Sequence, residues 1–191
     1  MHSLSGQEAA VSFQQNTSGH RGIQPYTHPG IVSYKAGRWI GNDHLFNLSN
    51  EISVIVETIL PLNYTEGATA DSIRKRVESH LRNAGIDPFS SSDGVAEVLP
   101  FIHVLILVYP IDDAYISSVS IRLLESVDLP RVQIEQGVVW QAVTWEKQKL
   151  LRTPTGQHVQ QVDAAIDSII GEFVKRFLFY KKLKEYLEKR E

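Results

Sequence analysis

Residues 101–125, FIHVLILVYPIDDAYISSVSIRLLE, decide the fold. Phe101 to Tyr109 is an apolar run broken only by His103, the pattern of a central strand covered on both faces. Pro110 to Asp113 supplies a tight connection, and Ala114 to Glu125 then alternates. Tyr115, Ser117, Val119, Ile121 and Leu123 share one side, whereas Ile116, Ser118, Ser120, Arg122 and Leu124 share the other, more polar one. This pattern predicts an antiparallel hairpin whose second strand is covered better on one face.

Upstream, Glu51 to Leu60 sets Ile52, Val54 and Val56 against Ser53, Ile55 and Glu57, a strand that Pro61 closes because proline has no ladder donor. Ala70 to Asn83 reads as a helix. Thr69 is its N-cap, Asp71 sits near the positive end of the dipole, and Gly85 supplies the left-handed closing residue. Ala70, Ile73, Val77 and Leu81 form its buried stripe.

Downstream, Pro130 to Gly137 reads as a loop and Val138 to Lys147 as a further strand, with Trp140 and Trp145 on opposite faces because their separation is odd. Leu150 to Gln157 is expected to be a connection, with Thr153, Pro154, Thr155 and Gly156 marking the turn. From His158 to the end, Val159, Val162, Ile166, Ile169, Phe173, Phe177, Tyr180, Leu183 and Leu187 fall at steps of three and four, predicting one long amphipathic helix. The spacing is not a uniform heptad: an extra step before Phe177 shifts the stripe, as in packing against a sheet.

The order β-α-β-β-β-α predicts an α+β domain, a two-layer mixed sheet of about four strands packed against two amphipathic helices. The strands flanking the first helix should be parallel. Residues 1–50, rich in Gly, Ser, Asn, His and Gln, read as an irregular N-terminal arm in which 31–40 can pair along a sheet edge. Residues 51–180 form the single domain, and 181–191 a charged extension of the last helix.

With 19 basic and 22 acidic residues the formal charge is -3, which disfavours a bulk polyanion-binding surface, and no nucleic-acid partner is expected. The distribution is uneven: residues 172–191 carry seven Lys or Arg against four Glu. The absence of Cys excludes disulfides and thiolate chemistry. No run of 18 apolar residues is present, and Met1 to Gln15 lacks the basic and apolar regions of a secretory signal.

Seven His residues are dispersed without metal-ligand spacing, so no metal or cofactor is expected. Asp112 and Asp113 read as turn carboxylates, and Ser90, Ser91 and Ser92 lack a nucleophile elbow. There is no glycine-rich phosphate loop. Asn16, Asn47 and Asn63 head glycosylation sequons, which matter only in a glycosylating secretory pathway. A binding pocket, if the protein takes a small ligand, would lie between the sheet and the Pro88 to Pro100 connection, with His103, Asp112, Asp113 and Trp145 converging on it.

The terminal helix carries the stronger signal. Phe177, Phe179 and Tyr180 precede Lys181, Lys182 and Lys184, and Leu183 and Leu187 continue the apolar side. Burial of Phe177, Phe179, Tyr180, Leu183 and Leu187 against a protein partner or a second copy, with Lys182 and Lys184 at the rim, is the expected use. Peripheral contact with an anionic membrane is the weaker alternative, diluted by Glu185, Glu188 and Glu191.

Several local features recur together: the helix ending at Asn83-Ala84-Gly85-Ile86, the Tyr115 to Leu124 strand, Ala142-Val143-Thr144-Trp145-Glu146, and the helix ending near Phe173-Val174-Lys175-Arg176-Phe177. In these the chain from Glu51 to Tyr180 resembles a group of small uncharacterised bacterial proteins, many of them secreted or periplasmic. The resemblance covers about two thirds of the chain and implies no catalytic residues. The reading is therefore a noncatalytic interaction or assembly module, with a small-ligand binding protein or enzyme as the alternative.

Overall fold

The computed structural model describes residues 45–65, 67, 69–88, 99–129, 131 and 139–190, together with the backbone of 31–35 and 38–42. In chain order the elements are β1 (Ile31–Lys35), β2 (Arg38–Asn42), β3 (Ser53–Ile59), α1 (Ala70–Asn83), β4 (Phe101–Ile111), β5 (Ala114–Val127), β6 (Trp140–Pro154) and α2 (His158–Glu188). Strands β3-β4-β5-β6 form one mixed sheet in that spatial order. The β3–β4 pair is parallel and the other two are antiparallel, so the expected β-α-β-β-β-α domain is present as a four-stranded sheet against two helices.

Register explains which side the helices cover. Val54 pairs with Ile102 and Val56 with Val104, while Ile102 faces Leu123, Val104 faces Ile121 and Ile106 faces Val119. These rows, with Trp145 opposite Leu123, are the sheet's helix-facing side, and nearly all are buried. Ile73, Val77 and Leu81 of α1 and Val162, Ile166, Ile169, Ile170 and Phe173 of α2 complete the core. Trp145 and Phe173 meet edge to face with centroids 5.2 Å apart.

Local chemistry sets the helix ends. Thr69 accepts from the Ser72 N–H, and Ser72 Oγ accepts in return from the Thr69 N–H, a reciprocal cap that satisfies two otherwise orphan donors. Gly85 closes α1 at φ 74°, a left-handed position that side chains disfavour. Helix α2 spans 31 residues, about 46 Å, and its Gln157 N-cap makes no side-chain cap bond.

Four expectations are corrected. The apolar run of β4 is central, yet its face away from the helices is not fully covered, since Leu107 and Tyr109 are exposed. Leu150 to Pro154 is strand rather than connection: Thr153 pairs with Tyr115 and Leu151 with Ser117, so pairing with a 14-residue neighbour overrides the turn propensity of Thr-Pro-Thr-Gly. A bulge at Thr144 shifts the register between Leu123 and Leu124. Trp140 therefore pairs with Val127 and Trp145 with Leu123, positions of β5 that share a face, and the parity argument separating the two indoles fails. Finally, β1 and β2 pair with each other as a hairpin and not with the four-stranded sheet. The Pro130 to Gly137 loop lies largely outside the described residues.

Candidate functional site

The far half of α2 divides by helix phase. Phe177 and Tyr180, expected at a partner contact, are 3% and 6% exposed and belong to this chain's own core. Phe179 packs the edge of its ring against Tyr180, 5.3 Å between centroids, yet is 53% exposed. Leu183 is half-buried against the core, while Leu187 and Tyr186 are exposed. Lys182 and Lys184 are exposed, with Lys184 Nζ 3.9 Å from Glu188 Oε1. The contact set expected from the sequence thus splits into residues that hold the helix to the domain and residues left on its outside. Tyr186 belongs with the latter: Arg190 stacks over its ring at 5.1 Å, and Arg176 over Phe179 at 5.6 Å.

On the other flank, a concavity of about 470 Å³ lies between α2 and residues 45–50. Its floor includes Leu45, Phe177 and Tyr180, and its rim includes Asn47, Lys181, Lys184, Glu185 and Glu188. Leu45 is 2% exposed, so the end of the N-terminal region is part of the core. No local pattern announces this groove, because its walls are more than 100 residues apart in the chain.

Among the described residues, the side chains expected to converge on a ligand pocket do not share one face of the sheet. His103 lies on the sheet face away from the helices, where its Nε2 is 3.2 Å from Glu57 Oε2, and Trp145 is buried on the opposite face. Asp112 and Asp113 sit in the exposed β4–β5 turn, Asp112 at φ 45°. The Pro88 to Pro100 connection falls mostly outside the described residues. On that same sheet face Ile59, Leu107, Tyr109, Ile116 and Leu150 form an exposed apolar cluster around a Gln148–Ser118 hydrogen bond.

A buried polar cluster escaped sequence reasoning. The His158 ring bonds Ser117 Oγ through Nε2 at 2.6 Å and the Tyr64 hydroxyl through Nδ1 at 2.8 Å. Tyr115 packs on the imidazole at 4.8 Å. A hydroxyl beside an imidazole is nucleophile–base geometry, but Ser117 is 0% exposed, and a group sealed beneath a helix meets no substrate. The arrangement instead pins the start of α2, which lacks a side-chain cap, to β5 and to the segment after β3. Beside it the Thr153 hydroxyl, also buried, has no hydrogen-bond partner among the described residues. Contacts spanning 94 and 41 residues leave no local pattern to read.

The basic residues of α1 are largely neutralised at home. Arg76 makes a bidentate pair with Asp167 at 2.6 and 2.7 Å and reaches Asp163 at 3.0 Å, and His80 approaches Asp167 at 2.9 Å. The Arg76 guanidinium holds the Asp167 carboxyl below the usual carboxylate range, with His80 adding to the effect, and Asp167 in turn raises the Arg76 pKa. This network clips α1 to α2. Arg82 pairs with Glu78 and Lys75 with Asp71 along the helix.

Among the described residues no group of three or more His, Asp or Glu is arranged to hold a metal ion, and no helix is long and apolar enough to cross a membrane. No protein-family profile matches the chain, and no curated protein matches it.

Proposed function

We propose that the protein is a noncatalytic interaction or assembly module, presenting the outer side of the C-terminal part of α2 to a protein partner. The observation that carries this reading is the division of α2. Phe177 and Tyr180 anchor it in the core, while Phe179 and Tyr186, each more than half exposed and seven residues apart, remain on its outside. A helix fixed at one end and apolar along the free side loses little conformational entropy on docking, so its side chains act as pre-positioned anchors.

The test compares the full chain with one ending at Tyr180, which keeps every deeply buried residue of α2. Sedimentation velocity and affinity capture read association, and circular dichroism checks the fold. Association lost with an unchanged melting curve supports the proposal; association retained by the folded, shortened chain overturns it.

The groove beside residues 45–50 favours a second reading, small-ligand binding, because about 470 Å³ falls in the range of ligand sites. Ligand-dependent thermal stabilisation that Tyr180→Ala abolishes would favour that reading over assembly.

A further inference from the structure

We propose that the outer ridge of α2 beyond Glu172 docks an acidic amphipathic helix of a protein partner, an inference that rests on the assembly reading and names the partner's chemistry. Phe179 and Tyr186 are seven residues apart and stack along about two turns as a short exposed column, with the half-buried Leu183 between them at its inner edge, a seam of the kind that receives another helix. Lys175, Lys182 and Lys189 are also spaced by seven and form a parallel column immediately beside that seam. All three are exposed, and among the described residues none has a carboxylate within ion-pair distance.

Of the described glutamates of this region, one heads the seam column but is paired, and the other two lie away from the seam. Glu172, at its N-terminal limit, pairs with Lys147 of β6 at 3.6 Å. Glu185 and Glu188 line the groove on the opposite flank together with Lys181 and Lys184. The basic excess of the tail, seven Lys or Arg against four Glu, is thus sorted into a ridge that is apolar along one column and cationic along the next.

Charge complementarity selects the occupant. In paired helices the residues flanking the seam meet across the interface and choose the partner. An antiparallel second copy would set lysine column against lysine column, and a parallel copy would leave the lysines facing no carboxylate. A helix with apolar seam residues and glutamates at the flanking heptad positions satisfies both columns. A lipid surface would use the positive charge but has no reason for a seven-residue register.

The probes are a synthetic helix with leucine seam residues and glutamate flanks, the same helix with glutamine flanks, and vesicles of phosphatidylserine and phosphatidylcholine. Each is titrated against the full-length chain by fluorescence anisotropy or co-sedimentation. The glutamate helix should bind at least about tenfold more tightly than the glutamine helix, with affinity falling as salt rises. The combined variant Lys175→Glu, Lys182→Glu, Lys189→Glu should lose at least about tenfold, whereas Lys181→Glu on the groove flank should not. Circular dichroism establishes that the variant is folded, which these exposed sites permit.

Equal binding of both helices, binding of vesicles alone, or a charge-reversed variant that binds as well as the parent overturns the inference. If association depends on residues 181–191 but is indifferent to the lysine column, the assembly reading stands and the acidic partner does not. If neither matters, both fall.

Discussion

Replacing Phe173 by alanine tests the phase of α2, on which the functional reading depends. Its ring is fully buried and stands edge to face on Trp145, 5.2 Å between centroids. Removing a buried phenylalanine costs about 3–5 kcal/mol in lost transfer energy and cavity formation, of which the aromatic pair supplies roughly 0.5–1.5 kcal/mol. For a chain of this size that lowers Tm by roughly 6–20 °C. Phe179→Ala, only six residues along but 53% exposed, should cost less than about 1 kcal/mol, including the Arg176 stacking it forfeits. Urea unfolding followed by far-ultraviolet circular dichroism compares the two, and a cycle with Trp145→Leu should return a coupling of about 1 kcal/mol. Equal losses at the two positions, or a larger one at Phe179, would refute the assignment of inner and outer sides.

Ser117→Ala leaves a buried imidazole nitrogen without its hydroxyl partner and should destabilise by about 1–3 kcal/mol in the same assay. Thr153→Val removes a buried hydroxyl that has no hydrogen-bond partner among the described residues and keeps the shape, so stability should rise by about 1 kcal/mol; a loss would show that the hydroxyl is satisfied in solution. Asp167→Asn should cost about 0.5–1 kcal/mol at neutral pH, a value discounted for the carboxylate's partial exposure. Because folding lowers the Asp167 pKa from 3.8, its contribution is fully present above that value and is lost as pH falls through the lower folded one. The gap between parent and variant in acid titrations should close in that window and not at neutral pH.

The sheet and its helices were legible because their signals are local. Thr69, the spacing of Ile73, Val77 and Leu81, and Gly85 mark α1 from cap to close, and the alternation after Asp113 marks β5. The connection before α2 is shorter than its residues suggest, because Pro154 and Gly156 announce a turn whereas β5 supplies pairing partners up to Pro154. One inserted residue at Thr144 was enough to reverse the expected relation of Trp140 and Trp145, since strand parity survives only without bulges.

The candidate site was legible in part. Periodicity put Phe177 and Tyr180 on the apolar stripe of α2 and Phe179 off it, but could not say how far along the stripe the domain itself covers the helix; that depends on where the sheet and residues 45–50 lie beneath it. His103 and Trp145 could not be assigned to opposite faces without the register of four strands. The Tyr64–His158–Ser117 cluster depends entirely on tertiary placement, and His158 carries no signal beyond its position at a helix start.

Amide hydrogen exchange along α2, measured on the full chain with and without the acidic helical peptide, tests the central claim most directly. Residues 158–180 should be protected in both states, because their inner side is buried in the core. Residues 181–190, helical but outside the core, should exchange faster than 158–180 alone and slow when the peptide is added. Unchanged exchange across 181–190 while the peptide binds, or protection appearing only elsewhere in the chain, would contradict the account.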